Sequence, residues 1–198
     1  RIYFQVAWHG NSLLKSILVA GDGLQDVIDG PGVVGAYSLD AAQPKLASLH
    51  GDLQEPCQVY LRDLANAETR QPTRVNGELL GGIDLGRVEE VWFKGPAGND
   101  LQGWIVFPPD FDPARRYPAI LEIHGGPIAQ YGNLMMHEFY YLAAQGYVVV
   151  CVNYHGSSSF GQRFVESIDK EFGKREYADV EAGTDFMLRS GHIDRRRL

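Results

Sequence analysis

Residues 118–161 read PAILEIHGGPIAQYGNLMMHEFYYLAAQGYVVVCVNYHGSSSFG, and this stretch decides the fold. Residues 118–123 form a short β-prone run closed by the His124-Gly125-Gly126-Pro127 turn. Across 134–145, apolar side chains fall at 134, 135, 139, 142 and 143, the spacing of one helix face, and Gly146 is a natural stop. Residues 147–152 (YVVVCV) then run apolar without alternation, as a parallel strand covered on both faces does. Strand, helix and strand in this order predict a parallel βαβ unit, the front of a doubly wound α/β domain. A second helix is predicted over about 177–190, with Val180, Phe186, Met187 and Leu188 inward and Gly191 as its end. Leu198 stands where the next parallel strand should open.

Upstream the style differs. Segments 2–7, 13–19, 33–38, 45–49 and 59–64 are rich in β-branched and aromatic residues. Turn clusters such as Gly21-Asp22-Gly23 and Asp29-Gly30-Pro31-Gly32 separate them. This is the pattern of a sandwich, a barrel or a propeller, and no fixed-period repeat selects among the three. Residues 57–64 alternate apolar and polar, which predicts a strand with one solvated face. Two further strands are predicted at 89–93 and 102–107, ahead of the rigid Pro108-Pro109. The fold class is therefore mixed: an all-β part over 1–87, then an α/β part with a parallel sheet over 88–198.

Composition excludes several functions. The 198 residues carry 18 Lys and Arg against 25 Asp and Glu, a formal charge of −7. The imbalance is even, with 8 basic and 12 acidic residues over 1–98 and 10 and 13 over 99–198. No basic face exists to neutralise phosphates, so no nucleic acid partner is expected. No apolar run approaches the roughly 20 residues of a membrane span, so no membrane partner is expected either. Cys57 and Cys151 make neither a disulfide framework nor a metal site, which points to a reduced, cytoplasmic setting. The chain starts at Arg1 without methionine and ends on Arg195-Arg196-Arg197-Leu198, so a longer parent polypeptide is expected. The arginine run reads as a solvated connection after a helix.

The chemistry-bearing segments follow the two parallel strands. The His124–Pro127 turn lies at the carboxyl end of the first, where open α/β sheets bind ligands. Consecutive glycines let the backbone approach a substrate and turn N–H groups outward, as a developing oxyanion requires. An ordinary tight turn is the bland alternative. Its place between a strand and an amphipathic helix favours an oxyanion loop of the HGG type. The 153–161 loop follows the second strand. Gly156-Ser157-Ser158 begins like G-x-S-x-G, but Phe160 stands where the second glycine belongs, so this is read as a cleft wall and not a nucleophile elbow. His155 has no metal-ligand partner in sequence, and Glu89-Glu90 point to opposite strand faces. Cys151 sits in a buried strand, where packing outweighs thiol reactivity.

Taken together, residues 88–198 resemble the prolyl oligopeptidase family of serine peptidases, in its acylaminoacyl-peptidase and dipeptidyl-aminopeptidase-like branch. The resemblance rests on the HGGP turn, on Asn153-Tyr154 with Gly156-Ser157 and Phe160-Gly161, and on Gly173-Lys174 followed by Asp179-Val180. Residues 101–109 (LQGWIVFPP) resemble the family's entry into its hydrolase domain. It implies the end of a β-propeller over 1–87 and the N-terminal half of an α/β-hydrolase domain over 88–198, truncated before the nucleophile elbow. It implies a Ser-Asp-His mechanism whose three residues all lie outside this chain. From this segment it implies oxyanion N–H donation by Gly126, with Gly125 as second candidate, and cleft walls from Tyr154, His155, Ser158 and Phe160. It implies a short peptide as substrate and no metal or organic cofactor; a homo-oligomer stays open. Two positions depart from the family, which carries Arg where His155 stands and Gly where Ser159 stands. An esterase-like α/β-hydrolase and a catalytically dead propeller–hydrolase binding scaffold remain alternatives.

Overall fold

The computed structural model describes residues 1–198. The chain divides into two units, Arg1–Ile83 with Gly132–Met135, and Asp84–Tyr131 with Met136–Leu198. Each has its own sheet.

In the first unit, β1 (Ile2–Trp8) and β2 (Asn11–Ile17) form a hairpin. Its turn, His9-Gly10, has φ of 46° and 75°, the positive values that match the twist of the flanking strands. β3 (Gln25–Ile28) adds antiparallel to β2. β4 (Val33–Leu39), β5 (Lys45–Gly51), β6 (Gln58–Asp63) and β7 (Thr69–Arg70) follow as an antiparallel meander. One parallel bridge, Ser12 to Val33, joins the two groups. Leu14, Val27, Val34 and Leu46 form the core between them. β6 does not have the expected solvated face, because it buries Gln58. The Gln58 amide donates to Val75 O and accepts from Val75 N–H and Thr73 Oγ1, so its burial leaves no polar atom unpaired. α1 (Gly77–Gly81) is a short helix without buried residues.

The second unit starts with a hairpin of β8 (Val88–Lys94) and β9 (Asp100–Val106). β10 (Ala119–Glu122) leads through α2 (His137–Ala144) to β11 (Val148–Asn153), which pairs parallel to β10 and antiparallel to β9. The sheet order is β10-β11-β9-β8. α3 (Gln162–Glu166) and α4 (Arg175–Arg189) complete the unit.

All six residues of β11 are buried, as the unbroken apolar run predicts. Val148, Val150 and Val152 pack with Phe93, Leu101, Ile105 and Met187, while Val149 and Cys151 alternate to the opposite face. α4 packs closely because Gly183 faces Val152; a Cβ there would lie 2.8 Å from Val152 Cγ2. The fully buried stripe of α4 is Asp179, Gly183 and Met187; of the expected inward positions Met187 is in the core, Phe186 and Leu188 pack partly buried against it, and Val180 is only partly buried. α2 is also shorter than the apolar spacing suggests. Met136 is extended, and Gly132–Met135 groups with the first unit, where Asn133 donates its N–H to Gly10 O and its side-chain N–H to Asn11 Oδ1. Beside β10, Tyr117 forms a parallel bridge with Ile193, and Ala119 N–H reaches Arg197 O at 3.0 Å. The C-terminal residues thus begin a further parallel neighbour.

Candidate active site

The parallel pairing of β10 and β11 brings the segments after their carboxyl ends together. Asn153, the last residue of β11, clamps them: its Oδ1 accepts Tyr131 N–H at 2.8 Å and its Nδ2 donates to Tyr131 O at 3.0 Å. Both bonds are buried, so no water competes for these groups. Ser158 adds a backbone bond, its N–H to Ala129 O at 2.8 Å.

His124 is fixed on several sides. Its ring stacks on Tyr154 at 4.3 Å and meets the edge of Tyr131 at 5.2 Å. Nε2 lies 2.9 Å from Ser157 Oγ, and Nδ1 lies 3.0 Å from Gly125 O and 3.2 Å from Tyr154 Oη. Tyr154 O–H also donates to His124 O. Burial pushes the Tyr154 phenol above its ordinary range, which keeps that donor protonated. Burial also lowers the His124 imidazole, against a smaller opposing effect of the Gly125 carbonyl.

Gly125 has open space where a side chain would start. Gly126 has φ of 133°, and a Cβ there would sit 2.8 Å from Ile128 N, so only glycine fits without strain. The following Gly126-Pro127 bond is cis.

The 153–161 loop is mostly buried. Ser157 has no exposed surface, which rules it out as an accessible nucleophile in this conformation. Gly156 has φ of 96°, and a Cβ would approach Ile168 Cδ1 to 2.5 Å. Ser159 has φ of 77°, the conformation that explains a glycine at this position in the family it resembles. His155 is turned into the fold, where its backbone N–H donates to Asp179 Oδ2 at 2.8 Å and its Nδ1 lies 2.5 Å from the same oxygen. Phe164 stacks on its ring at 4.6 Å. Phe160 is half-buried between Trp92 and Phe164. Of the expected wall residues, Tyr154 and Ser158 contact the 124–131 segment directly, while His155 and Phe160 pack behind the loop.

Sequence reasoning gave no role to His124, Ser157, Tyr131 or Asp179. Asp179 was visible as a carboxylate in an otherwise apolar helix stripe, at the start of the second turn of α4. No three His, Cys, Asp or Glu side chains gather in a group that could hold a metal ion. No helix is long and apolar enough to cross a membrane.

Two parallel strands carry a glycine turn and a clamped loop at their carboxyl ends, the end at which open α/β sheets bind ligands. Residues 133–198 match the prolyl oligopeptidase family. Among curated relatives, the uncharacterized peptidase YuxL of Bacillus subtilis is 32% identical over 166 residues, covering 83% of this chain and 25% of the relative. Dipeptidyl-peptidase 5 of Porphyromonas gingivalis is 31% identical over 156 residues, covering 77% of this chain and 22% of the relative. The solved acylaminoacyl peptidase of Pyrococcus horikoshii superposes with a TM-score of 0.86 at 26% identity, covering 98% of this chain and 30% of that one. The chain thus spans about a quarter of the length of the curated relatives it matches.

Proposed function

We propose that this chain forms the end of a β-propeller, over 1–87, and the front half of an α/β-hydrolase peptidase domain, over 88–198. The complete protein would be a serine peptidase releasing short units from peptide N-termini, of dipeptidyl- or acylaminoacyl-peptidase type. The β4–β7 meander has the four antiparallel strands of one propeller blade, which supports the first part. The sheet order β10-β11-β9-β8, with a further parallel neighbour starting beside β10, supports the second.

In this reading a serine in the remainder of the polypeptide attacks the scissile carbonyl, with histidine as general base and aspartate orienting it. Gly126 N–H, with Gly125 N–H as second candidate, stabilises the oxyanion as negative charge develops. One such donor is worth about 3–4 kcal/mol in the transition state. Tyr154 and Ser158 wall the cleft, and His155 and Phe160 support that wall from behind. The peptide is the only ligand this chemistry requires. The free thiols of Cys57 and Cys151 suit a reducing, cytoplasmic setting.

One observation carries the proposal: the strained Gly126 turn at the carboxyl end of β10, where only glycine fits, in a family of peptidases. The test is hydrolysis by the full-length protein of dipeptidyl and N-acetylaminoacyl p-nitroanilides, beside p-nitrophenyl butyrate. Cleavage of either anilide with kcat/KM at or above the ester value is expected. Cleavage of the ester alone would favour an esterase, and cleavage of neither would favour a binding scaffold.

A further inference from the structure

Resting on the reading of residues 124–127 as an oxyanion loop, we propose that His124, locked by Ser157 as its Nδ1–H tautomer, is the positioning residue that aims Gly126 N–H at the substrate.

The tautomer follows from what each neighbour can do. Gly125 O can only accept, so the 3.0 Å contact requires a proton on Nδ1. Tyr154 agrees independently. Its own proton is committed to His124 O, so at 3.2 Å from Nδ1 its oxygen can only accept. Nε2 then carries the lone pair and takes the Ser157 O–H at 2.9 Å. Ser157 is fully buried, so water does not compete for its hydroxyl. Burial disfavours the charged ring, and the neutral form is the one these contacts need.

The consequence for Gly126 comes from peptide geometry. The Gly125–Gly126 bond is trans, since the only cis bond is the next one. Gly125 C=O and Gly126 N–H therefore lie in one plane and point in opposite directions. A bond that draws the carbonyl oxygen to the His124 ring turns the N–H away from it, out of the loop. Glycine on both sides makes rotation of this peptide plane cheap, and a rotation would exchange donor and acceptor. The imidazole N–H opposes that exchange, because a peptide N–H turned toward Nδ1–H would leave two donors facing each other. Ser157 acts one step further out, by making the other tautomer unfavourable.

Steady-state kinetics of the full-length protein on its best peptide anilide test this. His124→Phe keeps a ring against Tyr154 and removes the donor; kcat should fall about tenfold to a hundredfold, with KM within twofold. His124→Asn, whose amide N–H can reach Gly125 O, should recover at least part of kcat. Ser157→Ala should lower kcat less than His124→Phe does, again without a matching rise in KM. Thermal unfolding identifies any variant that does not fold, and Ser157→Ala, which only deletes an oxygen, carries the test if the ring variants fail. Folded variants with kcat within twofold of the active parent, or with KM raised and kcat unchanged, would overturn the positioning role alone. A parent protein inactive on every peptide would instead remove the oxyanion reading on which it stands, and this role with it.

Discussion

His155 and Asp179 form a buried pair in which one carboxylate oxygen, Asp179 Oδ2, serves both the ring nitrogen at 2.5 Å and the backbone N–H at 2.8 Å. This ties the 153–161 loop to α4 from behind, at the position where the family it resembles carries arginine. Asp179→Ala leaves both groups without their acceptor inside the fold. Leaving a buried donor without its acceptor costs about 1–3 kcal/mol, and urea unfolding of the full-length protein should show a loss of at least that size. A loss below about 1 kcal/mol, the size of an exposed pair, would mean that Asp179 does not hold the loop.

The two glycines of the 124–127 turn should respond differently to a single methyl group. Gly125 has open space around its missing side chain, so Gly125→Ala should leave stability within about 0.5 kcal/mol of the parent. Gly126→Ala forces a side chain into a positive φ and against Ile128 N, which costs at least about 1–2 kcal/mol. Alanine at 126 is therefore a disruptive change. Differential scanning calorimetry of the two variants makes the comparison. Equal losses would show that the turn differs from the one described.

Lowering of the His124 pKa by burial has a defined sign. Between its folded value and the ordinary value near 6.5, the unfolded chain binds the proton more readily than the folded one. Stability therefore rises with pH through that window, is complete above about 6.5, and is lost as pH falls below it. His124→Phe should flatten this part of the profile. Denaturation midpoints across pH 5–8 for parent and variant would show it, and an unchanged slope in the variant would assign the effect to another group.

The two thiols should separate cleanly. Cys57 is exposed, whereas Cys151 is buried in β11 and its thiol is pushed up to about 12 by desolvation. Iodoacetamide at neutral pH should modify Cys57 in the native protein and Cys151 only after unfolding, as read by peptide mass mapping. Native-state modification of Cys151 would show that β11 opens.

Much of the second unit was legible because its signals are local. The YVVVCV run, the glycine turn and Gly146 each state their role within a few residues. α2 was read too long because the apolar residues Leu134 and Met135 fit its spacing, yet they belong to a turn grouped with the first unit. β3 and β7 were missed because their exposed residues Gln25, Asp26, Thr69 and Arg70 carry no alternation. Gln58 looked solvent-facing, since nothing nearby in sequence announces the Val75 backbone groups that satisfy it. The site behaves likewise. HGGP and the 153–161 loop were readable as segments. The His124–Ser157 and His155–Asp179 pairs span 33 and 24 residues, and only the parallel crossover and the docking of α4 bring them together.

The most direct test of the account is where a fluorophosphonate probe lands on the full-length protein. The account predicts stoichiometric labelling of one serine outside residues 1–198, with loss of peptide hydrolysis in step and no label on Ser157, Ser158 or Ser159. Labelling of one of those three serines near one equivalent, or full peptidase activity without any labelled serine, would contradict it.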